Sequence, residues 1–251
     1  MPLGVKIKIV FVVIFALLLI AGSFKMHFVL GLMVAMVLLI YAEMRNQNWN
    51  FFGPAISNVK DRALNAVAIT FDDGPSEWTR DILLTLKNEN IKATFFILGA
   101  NIDRHPEIAR QIVNEGHTIG CHGYSHTKYH LKGLKFIRED LDQAFDAFSR
   151  AGLPAPSLIR FPHGVKNIFA VKEAMRRNLK ICSWGLGVWD SKMPGEDVIA
   201  ERAKALKPGE ILLLHDGKGA DLQPDRSQTA AALPKIIRDY KNRGYGFVTL
   251  S

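Results

Sequence analysis

From residue 66 to 250 the chain alternates short apolar runs of strand length with longer segments of helical period, and this alternation restricts its fold most. The runs 66–71, 93–99, 118–121, 158–161, 180–186, 210–215 and 246–250 read as strands. The segments 78–88, 106–115, 134–150, 167–177, 196–205 and 229–242 read as helices. In the third of these, Leu141, Phe145 and Phe148 form the apolar stripe, while Arg138, Glu139, Asp140 and Asp142 form the polar face. Strands joined by crossovers of this length pair in parallel. Seven strands within about 190 residues predict an α/β fold, an irregular seven-stranded (β/α) barrel, spanning 66–251.

In such barrels the chemistry sits at the C-terminal ends of the strands. The stretch TFDDGP, residues 70–75, ends the first strand with adjacent carboxylates, Asp72 and Asp73. Like charges this close resist joint ionisation unless a cation, a metal or an Arg, stands beside them. After the third strand comes GCHGYSHTKYH, residues 120–130. His122 and His126 are four apart, as are His126 and His130, so either pair could grip one metal. Five of the eight histidines fall between 105 and 130, and two His with one carboxylate make a common catalytic metal set. RFPHG, residues 160–164, puts Arg160 at a strand end, followed by a tight turn through Pro162 and Gly164 that can aim a backbone N–H into the cleft. ILLLHDG, residues 211–217, ends a strand with Leu213 and His215 on one face.

The N-terminus has a different character. Residues 9–24 and 28–42 are apolar runs of 16 and 15 residues without a charge, broken at Lys25. Each falls slightly short of the roughly 20 residues that span a bilayer, and together they exceed one span. The expectation is a two-span hairpin over 1–42, integral to the cytoplasmic (inner) membrane, with a polar linker over 43–65; a cleaved signal peptide, or one span with an interfacial helix, are the alternatives. Lys6 and Lys8 lean the catalytic domain towards the cytoplasmic face.

Taken in order, TFDDGP, HGYSH, RFPHG and LLLHD resemble the polysaccharide deacetylases, the NodB-homology carbohydrate esterase family 4, from about residue 66 to 250. The resemblance implies a divalent metal, Zn2+ with Co2+ or Ni2+ as alternatives, on Asp73, His122 and His126. It implies Asp72 as general base, His215 as general acid and Arg160 as the residue orienting Asp72. The backbone N–H of His163 would help hold the oxyanion, and Leu213 would line the acetyl pocket. Three departures stand out. Gly123 replaces a usual Ser or Thr, and His163 replaces a Tyr. The fourth motif, Asp-x-x-Asp-Trp, is eroded to Gly187, Asp190 and Ser191, where Asp190 matches the second Asp and supports the catalytic Arg and His. Trp189 is a candidate for the lost apolar wall.

The implied activity is N-deacetylation of an amino sugar, in an envelope glycan or in a lipid-linked saccharide at a membrane lipid surface. The competing readings are a deformylase of a lipid-linked amino sugar and a catalytically silent glycan-binding domain. A net charge of +8 favours anionic surroundings. Nucleic acid is excluded, because no basic run interleaves with aromatics and the cations are scattered among acids.

Overall fold

A computed structural model describes residues 11–16, 26–45, 53–59 and 65–251. Strand β1 (Ala66–Asp72) is buried at every position, as expected of a strand covered on both faces. It is followed by α1 (Glu77–Asn88), β2 (Thr94–Ile97), α2 (Gly99–Arg104), α3 (Pro106–Asn114), β3 (Thr118–Cys121), α4 (Leu134–Arg150) and β4 (Leu158–Ile159). Then come α5 (Ile168–Arg176), β5 (Lys180–Ile181), β6 (Leu186–Gly187), α6 (Glu196–Ala203), β7 (Ile211–His215), α7 (Ser227–Asn242) and β8 (Gly246–Phe247).

The strands lie side by side in the order β5-β4-β3-β2-β1-β7-β6, with β8 added to β1, and every ladder is parallel. This order forces the sheet to curl. Laid flat, β5 and β6 would stand roughly 29 Å apart, six steps of about 4.8 Å. Yet the five residue steps from Ile181 to Leu186 reach about 17 Å at most. The two sheet edges therefore approach each other, as in a (β/α) barrel. Strands β1 and β2 are in register at Phe71 and Phe95, whose rings stack with centroids 5.0 Å apart.

The expected strand 180–186 is thus two strands on opposite sheet edges, with Cys182 to Gly185 turning between them. The short helix α2 was not expected: the run 93–99 stops pairing at Ile97 and its last residue begins the helix. Asp140 does not lie on the polar face of α4 but is buried, one turn from Ile137 and Ala144.

The N-terminal expectation is corrected. The first apolar run is described only over 11–16, and the rest of it, with Lys6 and Lys8, lies outside the described residues. The second falls in a helix, Met26–Arg45. Its uncharged stretch 28–42 rises about 22 Å, against a hydrocarbon core of roughly 30 Å. Among the described residues no helix is long and apolar enough to cross a membrane. The two-span hairpin, the inner-membrane location and the lipid contact inferred from it are not supported. Part of the segment expected as linker pairs with the sheet. Ile56 N–H donates to Ile181 O (2.8 Å), and Val59 N–H donates to Gly209 O (2.7 Å).

Candidate active site

Parallel strands bring all their C-terminal ends to one rim, and the polar groups of the motifs meet there. Asp72, the last residue of β1, is the ladder partner of His215, the last residue of β7. Arg160 follows β4, and its backbone N–H pairs with Cys121 O at the end of β3, beside His122.

Arg160 is fully buried, with its guanidinium 4.2 Å from the Phe96 ring centroid and 5.6 Å from that of Trp184. Its Nη1 donates to Asp72 Oδ1 (2.7 Å) and Thr70 Oγ1 (2.8 Å), and its Nη2 donates to Ser183 O (2.7 Å). Thr70 and Asp72 are two apart on β1 and share a face, so one guanidinium nitrogen reaches both. A buried carboxylate needs such a paired, hydrogen-bonded cation.

Asp73 leaves the strand with φ 75°, a left-handed conformation tolerated by Asp more than by most residues. Its Oδ2 accepts from Gly219 N–H (2.9 Å), and its carbonyl accepts from the Asn101 side chain (2.7 Å). These contacts point Oδ1 at the two histidines, with His126 Nε2 at 2.9 Å and His122 Nε2 at 3.3 Å. The three ligand atoms lie within 4.8 Å of one another. His122 Nδ1 is 2.7 Å from Arg160 O. A carbonyl only accepts, so Nδ1 carries the proton and, in the neutral ring, Nε2 presents a lone pair to the cluster. Two imidazole nitrogens and a buried carboxylate oxygen with no hydrogen-bond donor of its own fit a divalent cation. His130, the alternative partner for His126, lines the cleft but does not belong to this cluster.

A second group, Glu77, His105 and Glu107, lies at the surface with both carboxylates exposed and His105 half-buried. Arg80 already bridges its two carboxylates at 3.2 Å each, so a surface ion-pair network accounts for it.

Asp190 holds His215 twice. The ring Nδ1–H donates to Oδ1 (2.8 Å) and the backbone N–H donates to Oδ2 (2.8 Å), while Thr229 O–H adds a third bond (3.0 Å). Burial pulls the His215 imidazole down, but Asp190, with Asp73 and Asp72 behind it, more than offsets this and raises it to about 9. Burial likewise pushes the Asp190 carboxyl up, yet His215 and Thr229 keep it below its ordinary value. Asp190 therefore supports His215, whereas the Arg160 contacts run to Asp72, Thr70 and Ser183.

The cleft is a groove of about 1210 Å³, lined among others by His163, Gly164, Trp189, Leu213 and His215. His163 has φ 59°, and its ring centroid lies 4.3 Å from that of His126. Burial, with His126 and Lys128 nearby, lowers it to about 4, so it is neutral at pH 7. Trp189, also left-handed (φ 59°), is 66% exposed at the groove edge. Pro162 does not line the groove: it is buried behind the histidine loop, against Gly123. Left-handed backbone at Asp73, His126, His163 and Trp189 concentrates strain at this rim.

Several residues escaped the sequence reading. Thr70, Ser183 and Trp184 surround Arg160, and Asn101 and Gly219 orient Asp73. Fully buried Asp216 sits behind Gly74, where a Cβ would lie 2.1 Å from its Oδ2, so TFDDGP requires glycine there. The only sequence signal for this group was its spacing from strand ends, because its partners come from other elements.

A family model described as polysaccharide deacetylase matches residues 60–181. Two peptidoglycan-N-acetylglucosamine deacetylases of Bacillus cereus are similar in sequence. One is 38% identical over 186 residues, which is 73% of this chain and 66% of that protein. The other is 37% identical over 192 residues, which is 74% of this chain and 86% of that protein. A crystal structure of a peptidoglycan N-acetylglucosamine deacetylase, in complex with 4-naphthalen-1-yl-N-oxidanyl-benzamide, matches with a TM-score of 0.70 at 36% identity. The match covers 78% of this chain and 90% of that one. With this likeness extending over the barrel and its polar rim, the chain belongs to the polysaccharide deacetylase family, enzymes that hydrolyse the N-acetyl amides of glycans.

Proposed function

We propose that the chain is a metal-dependent N-deacetylase acting on N-acetylated amino sugars of an acidic envelope glycan of the peptidoglycan class. The observation that carries this reading is the convergence of Asp73 Oδ1, His122 Nε2 and His126 Nε2, flanked by Asp72 on Arg160 and by His215 on Asp190. A divalent metal on these three residues, most simply Zn2+, would act as Lewis acid on the amide carbonyl and make the attacking water more acidic.

The chain's own groups complete the hydrolysis. Asp72, held by Arg160, takes a proton from water as its oxygen bonds to the acetyl carbon. The His163 backbone N–H is assigned to the developing oxyanion, and Leu213 to the acetyl methyl. His215, kept protonated by Asp190, gives its proton to the amine nitrogen as the C–N bond breaks, releasing acetate.

The groove exceeds what one sugar ring requires, which suits an oligomeric substrate. Lys128, Lys192 and Lys218 line it, Lys218 paired with Asp221 at 3.3 Å, while the carboxylates in its lining, Asp72, Asp73 and Asp190, are buried. A cationic rim favours a glycan that carries acidic groups.

The test is acetate release by the full-length, metal-loaded chain from N-acetylglucosamine oligomers and from peptidoglycan fragments. Turnover of both, faster on the acidic fragments at low salt, is expected. Formate release from N-formylated sugars without acetate release would instead favour the deformylase. Metal binding and glycan binding with no release would leave a silent glycan-binding domain.

A further inference from the structure

The loop between the two histidine ligands has glycine at 123, and the space a side chain there would fill is occupied. A Cβ on Gly123 would stand 2.6 Å from the Tyr129 hydroxyl, 3.0 Å from Asp140 Oδ2 and 3.5 Å from Pro162. The backbone there is left-handed (φ 79°), which glycine adopts without strain.

We propose that Tyr129 and Asp140 are positioning residues for the metal-ligand loop, with the Tyr129 hydroxyl bracing the loop from outside in the space that glycine leaves at 123. The inference rests on the reading of His122 and His126 as ligands.

Asp140, buried on α4, accepts four hydrogen bonds. Its Oδ2 takes Tyr124 N–H (2.9 Å) and Tyr129 O–H (2.5 Å), and its Oδ1 takes Ser125 N–H (3.1 Å) and Ser125 O–H (2.5 Å). Four donors fill the capacity of one carboxylate. Two of them are the backbone N–H groups immediately before His126, so the carboxylate sets the path of the chain into that ligand. Tyr129 is itself fixed. It is fully buried, its ring meets Phe161 edge-on with centroids 6.0 Å apart, and its carbonyl accepts from the Asn167 side chain (2.8 Å). Asn167 also accepts from Ala170 N–H (3.0 Å), capping the start of α5.

A continuous set of bonds thus runs from α4 through the histidine loop to Tyr129 and on to α5. Without the Tyr129 hydroxyl, Oδ2 keeps a single donor, and a buried, under-paired carboxylate must shift or draw in another group. The groups within reach are the N–H donors that hold His126 in place.

The test uses full-length chain as wild type, Tyr129→Phe, Asp140→Asn, Gly123→Ser and the double variant Gly123→Ser/Tyr129→Phe. The readouts are Zn2+ affinity by chelator competition, the d–d absorption of the Co2+-loaded protein, and the metal-free melting temperature. Tyr129→Phe and Asp140→Asn are each expected to weaken Zn2+ binding roughly tenfold and to change the Co2+ spectrum, as outer-shell substitutions do. Gly123→Ser is expected to weaken binding through its collision with Tyr129. In the double variant the space is vacated and a serine hydroxyl can reach Asp140, so its loss should be smaller than the product of the single losses. A Tyr129→Phe protein that binds Zn2+ within twofold of wild type with an unchanged Co2+ spectrum overturns the proposal, as do multiplicative losses in the cycle. If Tyr129→Phe does not fold, the double variant decides. Recovery of folding and affinity supports the brace, and no recovery refutes it. A wild-type chain that binds no metal would overturn the ligand assignment itself, a separate outcome.

Discussion

Replacing Asp190 by Asn should move the enzyme's loss of activity at basic pH down into the neutral range. The substitution keeps an oxygen for the His215 ring N–H but removes the charge that holds the imidazole near 9. Asp190 is the main opponent of burial at His215, so the variant's imidazole should fall to about the ordinary 6.5 or lower. In the proposed role of general acid, His215 acts only when protonated. At pH 8 the protonated fraction falls from about 0.9 to about 0.03, a loss of roughly thirtyfold, while at pH 6 the loss is only about 1.3-fold. The assay is kcat/KM for acetate release on one oligosaccharide between pH 5.5 and 9, with metal content checked at each pH. The basic limb should move down by about two units or more while metal content stays constant. An equal loss at pH 6 and pH 8 would refute the assignment, since Asp190 would then act on structure and not on the proton. The same linkage bears on stability. A folded-state pKa raised above the unfolded one stabilises fully below about 6.5, and the contribution disappears as pH rises through about 9.

Asp72 and Asp73 should fail differently despite being neighbours. Asp72→Asn is expected to retain the metal and lose about 10² to 10⁴ in kcat, whereas Asp73→Asn should lose the metal as well, which elemental analysis reads directly. Trp189→Ala should raise KM for long oligomers with little change in kcat. Covering roughly 55 Å² of its exposed indole at about 25 cal/mol per Å² corresponds to tenfold, and an unchanged KM would remove Trp189 from the substrate path. His117 is buried, and burial, with Lys92 nearby, lowers it to about 4 while its Nδ1 accepts from Ala93 N–H. Stability tied to its neutral form is present above about 6.5 and is lost as pH falls towards 4, by about 2 kcal/mol at pH 5. Urea unfolding at pH 7 and pH 5 should therefore show a smaller acid loss in His117→Gln than in wild type.

The barrel itself was legible because its signals are local. A strand covered on both faces reads as an apolar run, a surface helix shows its 3.6-residue stripe, and each functional motif begins where an apolar run stops. Asp72, Asp73, His122, Arg160 and His215 could be placed at one rim from those endings alone, since parallel strands share one polarity. The strand 180–186 was misread for the complementary reason. Apolar character does not say which neighbour a strand pairs with, and here one run serves both edges of the curled sheet. The N-terminal runs show the limit of hydropathy. Their composition suggested two spans, but the apolar stretch of the described helix is shorter than a hydrocarbon core.

What the amino-acid sequence determined by itself was the class of fold and the order of the candidate site residues around the rim. Only the tertiary structure decided which partners hold them. Arg160 reaches Asp72 across 88 residues of chain, and Asp190 turns to His215 and not to Arg160. Asp140, read as one of four polar residues on an outer face, points inward and carries the histidine loop. Periodicity assigns a residue to a side of its own helix or strand, while the choice among hydrogen-bond partners is made by close packing between elements far apart in sequence. At Gly123 the missing side chain was visible in the sequence, but the Tyr129 hydroxyl standing in its place was not, because that replacement exists only where the loop, α4 and the Tyr129 turn meet in space.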